Sequence, residues 1–185
     1  MFKRQDDTLV KKALRGDERA WIALIERYEK AIYNYGIRMA GSHADAADLM
    51  QDIFLSVYKS LDSYRGGNEG SFKCWLFRIA HFRCVEFYRR KRPHDGLDDV
   101  PEQACEGTTP EQGVLNANEF GDLHVAMQTL PMNQKAVVEL KFFGQFTFDE
   151  IASQLGISSN TVKSRLYSAL DKLKYALEDN YADYQ

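Results

Sequence analysis

The sequence predicts an all-α fold of two small helical domains joined by an acidic flexible linker, the second domain carrying a helix-turn-helix. Three observations carry that expectation. Apolar residues recur at three- and four-residue intervals in one segment after another, which is the spacing of a helix face. From Pro93 to Gln134 no Lys or Arg occurs in 42 residues, whereas eight acids do, and the Pro, Gly and acid content of 93–113 suits a linker without regular structure. The stretch from Thr147 to Leu177 then carries the caps and tight turn of a paired-helix motif. A chain of 185 residues is long enough for two domains each to bury a core. The expected division is 1–93, a linker over 94–113, and 114–185.

Taken in order, Thr8 to Arg15 reads as a short helix that pauses at Gly16. Asp17 can cap the next, in which Trp21, Leu24, Ile25, Tyr28, Ile32, Tyr35 and Met39 keep an apolar stripe until Gly41. That aromatic stripe is packing rather than a cofactor site. A third helix, roughly Ala44 to Leu61, buries Leu49, Ile53, Phe54, Val57 and Leu61. Asp45, Asp48, Gln51 and Asp52 gather on its early, outward part. Carboxylates there complement the positive end of the helix dipole, and they equally suit a patch that docks on a protein.

Asp62 to Ser71 is a loop whose three glycines and Asn68 permit unusual backbone angles; it is either a connector or a closure round an extruded base. Ser71 caps a long helix that runs until Pro93, with Phe72, Trp75, Leu76 and Ile79 expected on its buried side. Lys73, Arg78, Arg83, Arg89, Arg90, Lys91 and Arg92 oppose only Glu86 on it. Interleaved with Phe77, Phe82, Phe87 and Tyr88, they combine phosphate attraction with faces on which bases can stack. A helix C-terminus also favours cations, so the dipole is a second account of Arg89 to Arg92.

Beyond the linker one helix ends at Leu130-Pro131, and another, with Val137, Val138 and Leu140 as core, ends at Gly144. The motif that follows reads as two short helices. Thr147 and Glu150 make a capping box, Gly156 ends the first helix, and Ser158 caps the second. Val162, Leu166, Ala169, Leu170, Leu173 and Leu177 face the core. Ser159, Asn160, Thr161, Lys163, Ser164, Arg165, Tyr167 and Ser168 form a polar and cationic face suited to a major groove. The bland alternative is the solvated face of an ordinary helical hairpin.

The net charge of −3 looks wrong for a nucleic-acid binder until the chain is divided. Without its eight linker-region acids the remainder is net cationic. No apolar run approaches the roughly 20 residues that span a bilayer, and MFKRQDD lacks the apolar stretch of a secretory signal, so a cytoplasmic protein without membrane insertion is expected. Cys74, Cys84 and Cys105 are an odd set that suggests no disulfide framework. His43, His81, His94 and His124 are scattered with no catalytic constellation, so no enzyme and no cofactor are expected. Cys74 and His81 stand about 10 Å apart along a helix, too far to share a metal ion.

Five blocks together carry a resemblance: GDERAWIALIERY, DAADLMQDIFLSVYKSLDSYRG, FKCWLFRIA with YRRKR, LPMNQKAVVELKFF, and FTFDEIASQLGISSNTVKSRLYSALDKL. In this order the chain resembles an extracytoplasmic-function sigma factor, the promoter-recognition subunit of bacterial RNA polymerase. The paired-helix motif alone would also suit a LuxR-type regulator or a one-component repressor; the other four blocks would not suit LuxR. By that resemblance, the function is promoter-specific transcription initiation with core RNA polymerase, in a stress or envelope response and under an anti-sigma factor. The resemblance implies that Asp48, Gln51 and Asp52 dock on the beta-prime clamp and that the second domain meets the beta flap. It implies minus-ten recognition and opening by Tyr64, Arg65, Asn68, Phe72, Arg78, Phe82, Arg83, Arg89 and Arg90. Minus-thirty-five recognition falls to the face from Ser159 to Ser168, and the acidic linker is implied to fill the polymerase channel that later takes RNA. Phe82 stands where the family commonly has Asn, so a stacking or packing residue replaces a hydrogen-bonding one. Ser168 stands where Arg is frequent, which implies a weaker phosphate grip.

Overall fold

The computed structural model describes residues 2–66, 71–91 and 121–182. They fall into two compact units, one within Met1–His94 and one within Asp95–Gln185. All regular elements among them are helical, so the all-α expectation holds. Asn68, Arg92, the linker 94–113 and Cys105 lie outside the described residues.

The first unit holds α1 (Phe2–Ala13), α2 (Glu18–Ala40), α3 (His43–Ser60), a short 3₁₀ turn (Leu61–Ser63) and α4 (Phe72–Lys91). Asp17 and Ser71 cap as expected, Asp17 accepting from the amides of Arg19 and Ala20 and Ser71 from that of Cys74, and Gly41 closes α2 in the left-handed region. Ser42 adds a further cap by accepting from the Asp45 amide. Leu24, Ile32, Tyr35 and Met39 of α2 meet Leu49, Ile53 and Val57 of α3 and Leu76, Phe77 and Ala80 of α4 in one buried core. Phe77 packs edge-on against Tyr35 with ring centroids 5.8 Å apart. At Gly36 α2 runs close against α3, and an added Cβ would stand 3.1 Å from Ala46.

Two expectations change here. The first helix begins at Phe2 rather than near Thr8, because Asp6 is buried and satisfied: it accepts hydrogen bonds from the Arg27 guanidinium and, at 2.6 Å, from the Tyr28 hydroxyl. A polar turn therefore stays helical by tertiary pairing that an apolar stripe cannot show. Burial and the Asp6 bond together push the Tyr28 phenol well above its usual range. On α4, Trp75 and Ile79 are half-buried, and Phe77, which was expected among the stacking faces, is in the core.

The second unit holds α5 (Gly121–Gln128), α6 (Met132–Val138), a π-helical turn (Glu139–Phe143), α7 (Phe148–Leu155) and α8 (Ser159–Ala182). Val137, Val138 and Leu140 are buried as expected, and the Gly144 amide closes the π turn on the Glu139 carbonyl at 2.9 Å. Thr147 and Glu150 form the full capping box, and Gly156 ends α7 at φ 68°. The second helix of the motif is not short. It runs for 24 residues, since after Gly156 no Gly or Pro interrupts a stripe whose Val162, Leu166, Ala169 and Leu173 are all buried. Leu170, expected in that core, is 37% exposed, and Leu177 is half-buried. Lys135 is fully buried, its ammonium donating to Gln128 Oε1 at 2.8 Å.

Candidate nucleic-acid interface

In α8 the first turn is fixed before any ligand arrives. The Ser158 side chain accepts from the Thr161 amide at 3.0 Å and pairs with the Thr161 hydroxyl at 2.8 Å. Ser159 Oγ donates to Asp149 of α7 at 2.6 Å, tying the two helices at the turn. Asn160, Lys163, Ser164 and Tyr167 then project on one exposed stripe at i, i+3, i+4 and i+7, and Tyr167 is 63% exposed. Ser164 Oγ donates back to the Thr161 carbonyl at 3.0 Å and keeps lone pairs for a further donor. Thr161, Arg165 and Ser168 follow a second stripe beside the first. Arg165 is half-buried, and Ser168 accepts from Gln134 Nε2 at 3.1 Å, which ties this flank to α6.

Lys163 is joined by residues that sequence did not single out. Its ammonium lies over the Phe148 ring at 5.6 Å, and Lys141, from the π turn, lies over the same ring at 4.5 Å. Two cations thus flank one aromatic ring beside the exposed stripe. The only sequence signal was Phe148 at the first position of α7, directly after the Thr147 cap.

In the first unit, the expected minus-ten residues separate into a surface set and a supporting set. Arg78, Arg89 and Arg90 are exposed and Phe82 is 57% exposed. Phe82 borders a shallow cleft of about 290 Å³ between α3 and α4, where Ser56, Lys59 and Ser60 face Ile79 and Arg83. Arg83 donates to Glu86 at 2.5 Å, and Arg90 lies 3.8 Å from Asp52 and 3.9 Å from Glu86. These exposed pairs are worth little in water and yield readily to a phosphate. Phe72 belongs to the supporting set. It is 2% exposed, its ring enclosed by Tyr28, Tyr64 and Trp75, so it supports that surface from beneath.

Tyr64 is half-buried in the same aromatic group, 5.5 Å from both Phe72 and Trp75, and its hydroxyl donates to Asp7 Oδ1 at 2.7 Å. Desolvation, then the bond to Asp7, raise its pKa well above the ordinary phenol value, so the hydroxyl keeps its proton. Arg65 is exposed and donates to the Asp62 carbonyl at 2.9 Å.

On α3, Asp48 and Gln51 are exposed. Asp45 receives Lys91 of α4 at 2.5 Å, and Asp52 faces Arg90, so two of the four polar groups have partners within the unit. Dipole and ion-pair chemistry account for Asp45 and Asp52. Asp48 and Gln51 are the pair available to a protein partner.

No described helix is long and apolar enough to cross a membrane. The family description "Sigma-70 region 2" matches residues 24–94, and "Sigma-70, region 4" matches residues 120–173. The chain is 27% identical over 180 residues to the ECF RNA polymerase sigma factor SigW of Bacillus subtilis (strain 168), covering 92% of this chain and 95% of that one. It is 29% identical to the RNA polymerase sigma-H factor of Pseudomonas aeruginosa over 96% of both. Among solved structures it resembles the sigma factor RpoE from Bartonella quintana, crystallised with the anti-sigma factor NepR. There the TM-score is 0.64 at 21% identity, over 84% of this chain and 95% of that one.

Proposed function

This chain belongs to the extracytoplasmic-function group of the sigma-70 family, and from that premise we propose how its two units divide the work. As a sigma factor it is a specificity factor of transcription initiation rather than an enzyme, acting with RNA polymerase on DNA. The single observation that carries the finer reading is the exposed stripe Asn160, Lys163, Ser164 and Tyr167 on a helix whose first turn is already fixed by caps and by Asp149. A preorganised helix N-terminus with base-reading and cationic side chains suits the major groove of a minus-thirty-five element.

In the 1–93 domain, Asp48 and Gln51 dock on the beta-prime clamp, joined by Asp52 once its exposed pair with Arg90 opens. Arg78, Phe82, Arg83, Arg89 and Arg90, with the loop that starts at Tyr64, engage the minus-ten region. Opening that region takes a base out of its stack at a cost of a few kcal/mol, which stacking and charge-assisted contacts must offset. The exposure of Phe82 beside Arg78 and the α3–α4 cleft supports this assignment. The 114–185 domain reads the minus-thirty-five element and meets the beta flap. An anti-sigma factor holds the protein until a stress or envelope signal arrives, in the cytoplasm; the related fold solved with NepR supports that partner class.

Run-off transcription of fragments of the source genome with purified core polymerase tests the proposal. Start sites that require both proteins are expected. Tight duplex binding by the protein alone, with no polymerase-dependent start, would make it a one-component repressor instead.

A further inference from the structure

Two adjacent acids of α1 act in different directions. Asp6 faces α2, where Arg27 and the Tyr28 hydroxyl hold it, and so seats α1 on the unit. Asp7, the next residue, reaches a position 57 residues further along the chain, where its Oδ1 accepts the Tyr64 hydroxyl at 2.7 Å. Gly66 lies against the same carboxylate. A Cβ there would stand 3.3 Å from Asp7 Oδ1 and 3.5 Å from the Tyr64 ring, and its φ of +66° is one that side chains other than glycine's rarely adopt. The segment entering the 62–71 loop is therefore held at three points: an aromatic seat on Phe72 and Trp75, a charge-assisted hydrogen bond from Asp7, and a glycine that lets the backbone pass closely over that bond.

We propose that Asp7 is a positioning residue for promoter opening: through the Tyr64 hydroxyl it sets the entry of the loop beside Phe72 and Trp75, although α1 itself does not touch DNA. This rests on the reading that the loop acts on the minus-ten region. The chemistry suits positioning. The phenol stays protonated, so the bond persists across the neutral range, and a hydrogen bond to a carboxylate is roughly twice as strong as one between neutral groups. Asp6 keeps α1 docked independently, so loss of the Asp7 bond should free the loop without releasing the helix.

The test uses the full chain with core polymerase on a duplex promoter and on the same promoter already opened across the minus-ten region. Tyr64→Phe, which keeps the ring, and Asp7→Ala should each lower transcription from the duplex about tenfold more than from the opened template. The double variant should be no worse than either single one, because both remove the same bond. Asp7→Asn, which keeps an acceptor, should restore most of the duplex activity. Equal losses on both templates, tracking a lower melting temperature, would make the bond merely structural and overturn the inference. If Asp7→Ala fails to fold, Tyr64→Phe carries the test alone. Tyr64→Ala separates the two levels. A duplex-specific defect in Tyr64→Ala with none in Tyr64→Phe overturns the positioning role and leaves the loop's role standing. No template-dependent defect even in Tyr64→Ala removes both.

Discussion

Lys163 stands at the centre of the exposed α8 stripe, its charge steadied over the Phe148 ring but open to solvent. A phosphate contact there adds one released counterion, so Lys163→Ala should weaken binding evenly across sequences and reduce the slope of log affinity against log salt by roughly one. An unchanged slope would take Lys163 out of the contact. Asn160→Ala should instead relax preference at a single base pair, by about 1 to 3 kcal/mol, in a binding assay across promoter variants. At His81 the physics is acid–base. Burial lowers its pKa from 6.5 to about 4. Between those values the unfolded chain takes up a proton that the folded one does not. Stability should be complete above about pH 6.5 and fall as pH drops toward about 4, by on the order of 2 to 3 kcal/mol. His81→Gln should flatten that decline in urea midpoints; an identical pH profile would mean His81 contributes nothing to it. Residue-level burial was the part least legible beforehand. Phe77 reads as a stacking face and lies in the core, and Lys135, which no pattern singled out, is fully buried. Neither shows in one helix's own pattern, since both depend on what the next helix brings alongside.

At the level of elements the sequence was far more legible, because caps are local chemistry. Asp17, Ser71 and Thr147 each accept an amide where their side chains said they would, and Gly41 and Gly156 each end a helix in the left-handed region. What escaped was whatever depends on distant partners or on the absence of a stop: the early start of α1, the length of α8, and the π turn. That turn sets up a test between two glycines. Gly156 has open space around it, so Gly156→Ala should cost only the backbone strain of a positive φ, about 1 kcal/mol. Gly144 has an ordinary φ of −74°, yet a Cβ there would lie 2.6 Å from the Leu140 carbonyl and from the Phe146 ring. Gly144→Ala should therefore destabilise by about 1 to 3 kcal/mol through overpacking and disturb the Lys141 and Phe148 arrangement with it. Chemical denaturation of both variants decides. Comparable costs would show that the π turn yields more easily than its packing implies.

Across the whole molecule, each unit buries its own core, so damage should stay local. Leu49→Ala should remove about 2 to 5 kcal/mol from the first unit and leave the second unit's melting unchanged. Val162→Ala should do the reverse, with calorimetry resolving the two transitions; a shared shift would mean the units unfold as one. A change of charge pattern was readable in the sequence, because a stretch without Lys or Arg follows one rich in them, whereas the acidic stretch offers no apolar pattern from which a conformation could be read. The contact of Gly36 with Ala46 reaches beyond packing. A virtual Cβ at position 36 stands 3.1 Å from the Cα, the Cβ and the carbonyl oxygen of Ala46 alike, so a glycine at position 46 would not make room for it. A lineage that gains a side chain at position 36 must let α3 shift by a few tenths of an ångström, so this glycine records a constraint set by the backbone of the next helix rather than by the side chain opposite.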